Sequence, residues 1–203
     1  MGNYLFSEEE LKSLKKKDKK LSKAIDEIGE IKREINPDLF ESLVNNIVGQ
    51  QISMKAQDTI WKRFLDHFLE ITPEKIFNAS IEEIQSLGIS TRKATYIHKA
   101  AEKVHNGELD IHKLLEMNDE DVCTTLVSLD GIGLWTAEML MIFSMGRKDI
   151  LSFGDLAIKR GMINLYGHKE ITKERFEKYR KRYSPHGTLA SMYLWELSKD
   201  IYK

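Results

Sequence analysis

Two short stretches carry side chains whose types and spacing suit chemistry. The first is Ser152-Phe153-Gly154-Asp155-Leu156-Ala157-Ile158-Lys159-Arg160, with a carboxylate at the predicted start of a helix. Such an aspartate can cap the helix by accepting from its first free N–H groups, a contact worth about 1 kcal/mol. It can also stabilise positive charge on a nearby carbon and orient or deprotonate water. The second stretch is Leu126-Val127-Ser128-Leu129-Asp130-Gly131-Ile132-Gly133-Leu134-Trp135-Thr136-Ala137. Gly131 and Gly133 flank one apolar residue, and glycine tolerates positive φ and close backbone approach. A helix beginning near Leu134 would turn its free N–H groups and positive dipole end outward, an anion site suited to phosphate. The competing explanation is an ordinary turn between helices that uses glycine for its geometry.

The elements that must position these residues read as helix after helix. There are only three prolines, and β-branched alternation is scarce. The first segment is expected to be helical from about Ser7 to Ile28, with Ser7 as N-cap and acids in its first turn. Its Lys15–Lys20 cluster reads as a solvated face. After Asn36-Pro37, Leu39, Phe40, Leu43, Val44, Ile47 and Val48 follow helical spacing. Gly49-Gln50-Gln51 interrupts that pattern, and an amphipathic helix starts near Ser53. Further helices are expected at Ser90–Val104, on both sides of Asp130-Gly131-Ile132-Gly133, and at about Asp155–Leu165, Thr172–Tyr183 and Gly187–Ile201. The pattern predicts an all-α chain.

Composition narrows the function classes. The chain has 203 residues, 41% of them hydrophobic, and no apolar run approaches the ~20 residues needed to span a bilayer. Charges follow so soon after the N-terminus that no secretory leader is expected. The single cysteine, Cys123, cannot build a Cys-ligated zinc or iron–sulfur site, and it reads as a small, partly buried helical side chain. Net charge is −1, from 31 basic and 32 acidic residues. Phosphate contacts act over roughly 8 Å in physiological salt, so overall neutrality leaves room for a basic face.

Taken in order, five segments resemble the helix-hairpin-helix DNA glycosylase superfamily, and within it the bacterial 3-methyladenine DNA glycosylase II family. They are Ile47-Val48-Gly49-Gln50-Gln51-Ile52-Ser53, Leu87-Gly88-Ile89-Ser90-Thr91-Arg92-Lys93-Ala94, the Leu129–Thr136 hairpin, the Asp155 segment 20 residues after Trp135, and Tyr193-Leu194-Trp195. The resemblance covers roughly residues 37 to 200. It implies an all-α fold of two helical subdomains with the active-site cleft between them. Residues 1–36 would form an N-terminal helical segment and 37–203 the glycosylase core, without the β domain that precedes the core in some relatives.

The resemblance also implies a reaction and a division of roles. The enzyme would flip a damaged base out of double-stranded DNA and hydrolyse its N-glycosidic bond. Asp155 would be catalytic. Trp135 and Trp195 would line the base pocket, where stacking on electron-rich rings favours cationic alkylated purines. Trp195 also fits core packing at helical spacing with Leu189, Met192 and Leu194. Met139 stands where the family's well-known member has a tyrosine, and is either a pocket residue or core. Gln51 would fill the space left by the flipped base, or else is an exposed turn residue. Gly131, Gly133 and Thr136 of the hairpin, with Ser53 and Lys159, are the other expected DNA contacts, and Lys159 is expected to face phosphate or solvent. Bifunctional relatives carry a nucleophilic lysine where this chain has Trp135, so base removal without strand cleavage is expected. Ser184-Pro185-His186-Gly187 departs from an aromatic residue and arginine common in relatives, and the basic helix Lys173–Arg182 is a substitute DNA contact or a solvated face.

No metal and no required cofactor are expected, and relatives with an iron–sulfur cluster use four cysteines. The expected partner is double-stranded DNA containing a damaged base, bound by a cytoplasmic monomer without membrane association. The alternatives are a non-catalytic hairpin module that only binds DNA and a bifunctional oxidised-base glycosylase/lyase.

Overall fold

Short polar residues start most of the helices, because a Ser, Thr, Asp or Asn side chain satisfies N–H groups that the first turn leaves unpaired. A computed structural model describes residues 2, 3 and 6–199. In chain order the elements are β1 (Gly2–Asn3), α1 (Glu8–Lys17), α2 (Lys19–Ile28), β2 (Glu34–Ile35), α3 (Leu39–Gly49), α4 (Met54–Phe68), α5 (Pro73–Asn78), α6 (Ile81–Ser86), α7 (Thr91–His105), α8 (Ile111–Glu116), α9 (Asp119–Val127), α10 (Leu134–Phe143), α11 (Leu156–Tyr166), α12 (Lys173–Tyr183) and α13 (Gly187–Leu197). Ser7 forms a reciprocal capping box with Glu10, and Ser53, Ser90 and Asp155 cap α4, α7 and α11. The fold is all-α apart from the two-residue antiparallel pairing of β1 with β2.

The N-terminal segment is two helices and not the single one expected. Asp18 is extended, ends α1, and accepts from the Lys20 and Leu21 N–H groups at 3.0 Å to start α2. Its other oxygen accepts from the Tyr166 hydroxyl at 2.8 Å and from Arg182 at 2.6 Å. Asp18 therefore lies buried inside a lysine cluster that otherwise reads as solvated. Burial alone would raise its carboxyl. The Leu21 N–H, Arg182 and Tyr166 outweigh that and hold it below the ordinary carboxylate range.

The chain divides into two compact units, residues 1–35 with 141–203, and residues 36–140. The second boundary falls inside α10, where no change of composition marks it. In the first unit the core is built from Leu14, Leu21, Ile158, Met162, Phe176, Tyr183 and Leu194. Each fully buried aliphatic or aromatic side chain contributes about 1.5–3 kcal/mol. Helices α11 and α13 meet with almost no side chain between them: a Cβ at Gly161 would lie 2.1 Å from the Leu194 carbonyl oxygen. In the second unit α3 buries the periodic face predicted for it, and Phe64, Ile84, Ile97 and Leu126 complete the packing.

Candidate active site

The first unit holds the carboxylate. Asp155 has extended backbone angles (φ −80°, ψ 114°) and stands before the first residue of α11. Its Oδ1 accepts from the Ala157 N–H at 2.7 Å and the Ile158 N–H at 3.0 Å. Its Oδ2 accepts from the indole Nε1–H of Trp195 at 3.1 Å. Capping thus occupies one carboxylate oxygen and the indole bonds the other. Asp155 is only 7% exposed, and its Oδ1 lies at the positive end of the α11 dipole, which favours an anion there.

Trp195 is half-buried, and its ring stacks on Phe143 with centroids 5.7 Å apart and planes inclined by 21°. Neither position expected for it, base pocket or ordinary core, anticipates the bond to Asp155. Ser152 was missed by sequence reasoning. It is fully buried, its carbonyl accepts from the Asp155 N–H at 3.4 Å, and its hydroxyl has no partner among the described residues. Lys159 is half-buried, with its ammonium 4.7 Å from the centre of the Phe153 ring. That cation–π contact orients the side chain and leaves part of it accessible. The Ser184–Gly187 segment serves the fold: Asp149 accepts from the Ser184 hydroxyl at 2.5 Å and the Gly187 N–H at 2.9 Å. On α12, Arg180 and Arg182 are paired with Glu177 and Asp18, while Lys178 and Lys181 are exposed.

The second unit holds the hairpin. Gly131 has φ +81°, and a Cβ there would meet the Tyr96 ring at 2.3 Å. Gly133 departs from expectation: it is not in the positive-φ region, and nothing lies within 4 Å of where its Cβ would stand. Ile132 is buried and donates its N–H to Leu129 at 3.1 Å, which closes the turn. The first turn of α10 follows, with the Ala137 N–H bonded to the Gly133 carbonyl at 3.0 Å. Lys99 donates to Asp130 at 2.9 Å and holds that exposed carboxyl below its usual range, offsetting a negative charge in the hairpin. That pairing forms only on folding, because Lys99 lies 31 positions away.

Trp135 is 49% exposed, whereas Thr136 and Met139 are buried. Trp135 and Thr136 share the lining of a cavity of about 400 Å³ with Asn46, Gly49, Gln50 and Gln51. Gln51 is exposed and left-handed, with φ +57°. Ser53 spends its hydroxyl on the Ala56 N–H at 3.3 Å, which caps α4. Cys123 is half-exposed, and burial and the nearby Glu138 push its thiol up, which makes it a poor nucleophile. Among the described residues no group of three or more His, Cys, Asp or Glu is placed to hold a metal, and no helix is long and apolar enough to cross a membrane.

Comparison with known proteins places the chain in a family and a fold. Residues 44–186 match the model of the HhH-GPD superfamily base excision DNA repair proteins. DNA-3-methyladenine glycosylase 1 of Schizosaccharomyces pombe is 33% identical over 165 residues, which is 79% of this chain and 72% of that protein. A crystal structure of a DNA-3-methyladenine glycosidase from Bacillus halodurans aligns with a TM-score of 0.89 at 35% identity, covering 99% of this chain and 94% of the other. A Schizosaccharomyces pombe 3-methyladenine DNA glycosylase in complex with abasic DNA aligns with a TM-score of 0.78 at 28% identity, covering 93% and 95%.

Proposed function

Because the chain belongs to the HhH-GPD superfamily of base excision DNA repair proteins, we propose that it removes alkylated purines, of the 3-methyladenine and 7-methylguanine type, from double-stranded DNA. The reaction is hydrolysis of the N-glycosidic bond without strand cleavage. The names of the related proteins support a base-excision DNA glycosylase. The observation that carries the mechanism is the Asp155 carboxylate, buried, capping α11, and bonded through its second oxygen to Trp195.

The chemistry follows from that geometry. The damaged base leaves the stack, since its bond to the sugar is shielded in the duplex. As that bond breaks, positive charge develops at the anomeric carbon. Asp155 stabilises that charge and orients the attacking water. An alkylated purine is already a good leaving group, so one carboxylate suffices and no cofactor is required. Trp135, half-exposed beside a cavity, and Trp195 offer electron-rich rings for an electron-poor base, each favourable contact contributing ~0.5–2 kcal/mol. Met139 contributes a thioether in place of a phenol.

The hairpin grips the backbone through the N–H groups near Gly131, Gly133 and Thr136, with Ser53 and Lys159 as further contacts. Gln51 enters the space the base vacates and hydrogen-bonds to the orphaned partner base. The protein acts as a monomer. Single-turnover release of bases from methylated DNA tests this proposal. Asp155→Asn, which keeps a capping side chain, should lower the rate at least about a hundredfold. Near wild-type excision by that variant would remove Asp155 from the mechanism.

A further inference from the structure

The turn that carries Gln51 is held from several directions. Lys93, in the first turn of α7, sends its ammonium to the Val48 carbonyl at 2.9 Å and the Gln50 carbonyl at 2.7 Å. These are orphan carbonyls at the C-terminal end of α3, where the helix dipole favours a cation. The same ammonium sits at the unfavourable end of its own helix, and its hydrogen-bond partners among the described residues are those two carbonyls. Desolvation by burial depresses its pKa. Gln50 reaches the other way, its side-chain Nε2 donating to the Gly131 carbonyl at 2.8 Å. Gln57 fills the space beside Gly49, 2.4 Å from where a Cβ would stand, and bonds to Asn45. The product of these restraints is one exposed non-glycine residue at φ +57°. Left-handed backbone at such a residue persists only where its surroundings over-determine it.

We infer that Lys93 and Gln50 are positioning residues for substrate recognition: they fix the turn so that Gln51 is presented, already in its working conformation, in register with the phosphate-gripping hairpin. This rests on the proposed role of Gln51. Neither residue touches substrate. Gln50 ties the turn to Gly131, and Lys93 ties it to α7, so the intercalating amide and the backbone grip move as one body. Preorganisation removes the ordering cost that a free loop would incur on each encounter.

The test is a double-mutant cycle on base flipping. A duplex carrying one 7-methylguanine with a 2-aminopurine neighbour reports unstacking by fluorescence, and single-turnover release reports excision. Lys93→Met and Gln50→Leu should each slow flipping about tenfold, since small displacements at such sites cost up to about a hundredfold. Binding to undamaged duplex should change less than about twofold. Lys93→Arg, which retains two donors, should restore most of the rate. Gln51→Ala should also lose about tenfold, and adding Lys93→Met to it should cost no more than about a further twofold. Losses that multiply to about a hundredfold would overturn the inference and leave the Gln51 role standing. A Gln51→Ala protein that flips normally would overturn both. If Lys93→Met fails to fold, the Gln50→Leu cycle decides alone by the same criteria.

Discussion

The indole N–H of Trp195 points at Oδ2 of Asp155 across 3.1 Å, while the same ring stacks on Phe143. One side chain therefore holds the carboxylate from the side opposite its helix cap. Trp195→Phe separates the two contacts, keeping a ring against Phe143 and removing the donor. Single-turnover base release should fall about tenfold, the scale of one hydrogen bond to a charged group. The melting temperature should stay within about 4 °C. A rate equal to wild type would show that the bond does not serve the reaction.

Trp135 offers an indole where a Schiff-base mechanism needs an amine. Borohydride added during turnover on methylated DNA should trap no covalent protein–DNA adduct, read on a denaturing gel. An adduct would assign lyase chemistry to some lysine of this chain and end the monofunctional proposal.

The two hairpin glycines should respond differently to the same change. Gly131→Ala meets both a left-handed backbone and the Tyr96 ring, and should cost about 1–3 kcal/mol in urea unfolding. Gly133→Ala meets nothing in the protein and should leave stability within about 1 kcal/mol. In the proposed backbone grip its methyl group would stand in the path of a phosphate, so duplex binding should weaken and its dependence on salt should flatten. Unaltered binding by Gly133→Ala would argue against close backbone approach at that glycine.

Acid should loosen the first unit through Asp18. Its carboxyl is held below the ordinary range in the folded protein, so its stabilisation is present above the unfolded value of about 3.9 and is lost as pH falls through the lower folded value. Asp18→Asn keeps a capping residue but removes the charge opposite Arg182. It should cost about 2 kcal/mol at pH 7, between the values for exposed and buried pairs because Asp18 is buried and Arg182 is exposed. The variant should also lose less stability than wild type between pH 5 and pH 2 on the order of that same amount. Parallel acid curves would place the sensitivity elsewhere.

Helix content and most caps were legible in the sequence because both are local: Ser7, Ser53, Ser90 and Asp155 announce their helices within four residues. The break at Asp18 was not, since its partners Tyr166 and Arg182 lie 148 and 164 positions away. Asp155 could be singled out, but its contact with Trp195 spans 40 positions and arises only when α11 packs on α13. Gly131 and Gly133 look alike in sequence. Only the backbone angle and the Tyr96 ring tell them apart. Lys93 gave no signal of its own, because a lysine near a helix start reads as solvated until its two carbonyl partners are known.

The near-contact of α11 with α13 at Gly161 bears on how far this enzyme's chemistry can drift. Asp155 precedes α11 and Trp195 follows Leu194, whose carbonyl oxygen occupies the space a methyl group at position 161 would need. The separation of carboxylate and indole is thus machined into the helix pair as a fixed gauge. Side chains elsewhere can be exchanged without touching that spacing, yet the gauge has only two settings: glycine at 161 and the pair in register, or anything larger and the pair pried apart.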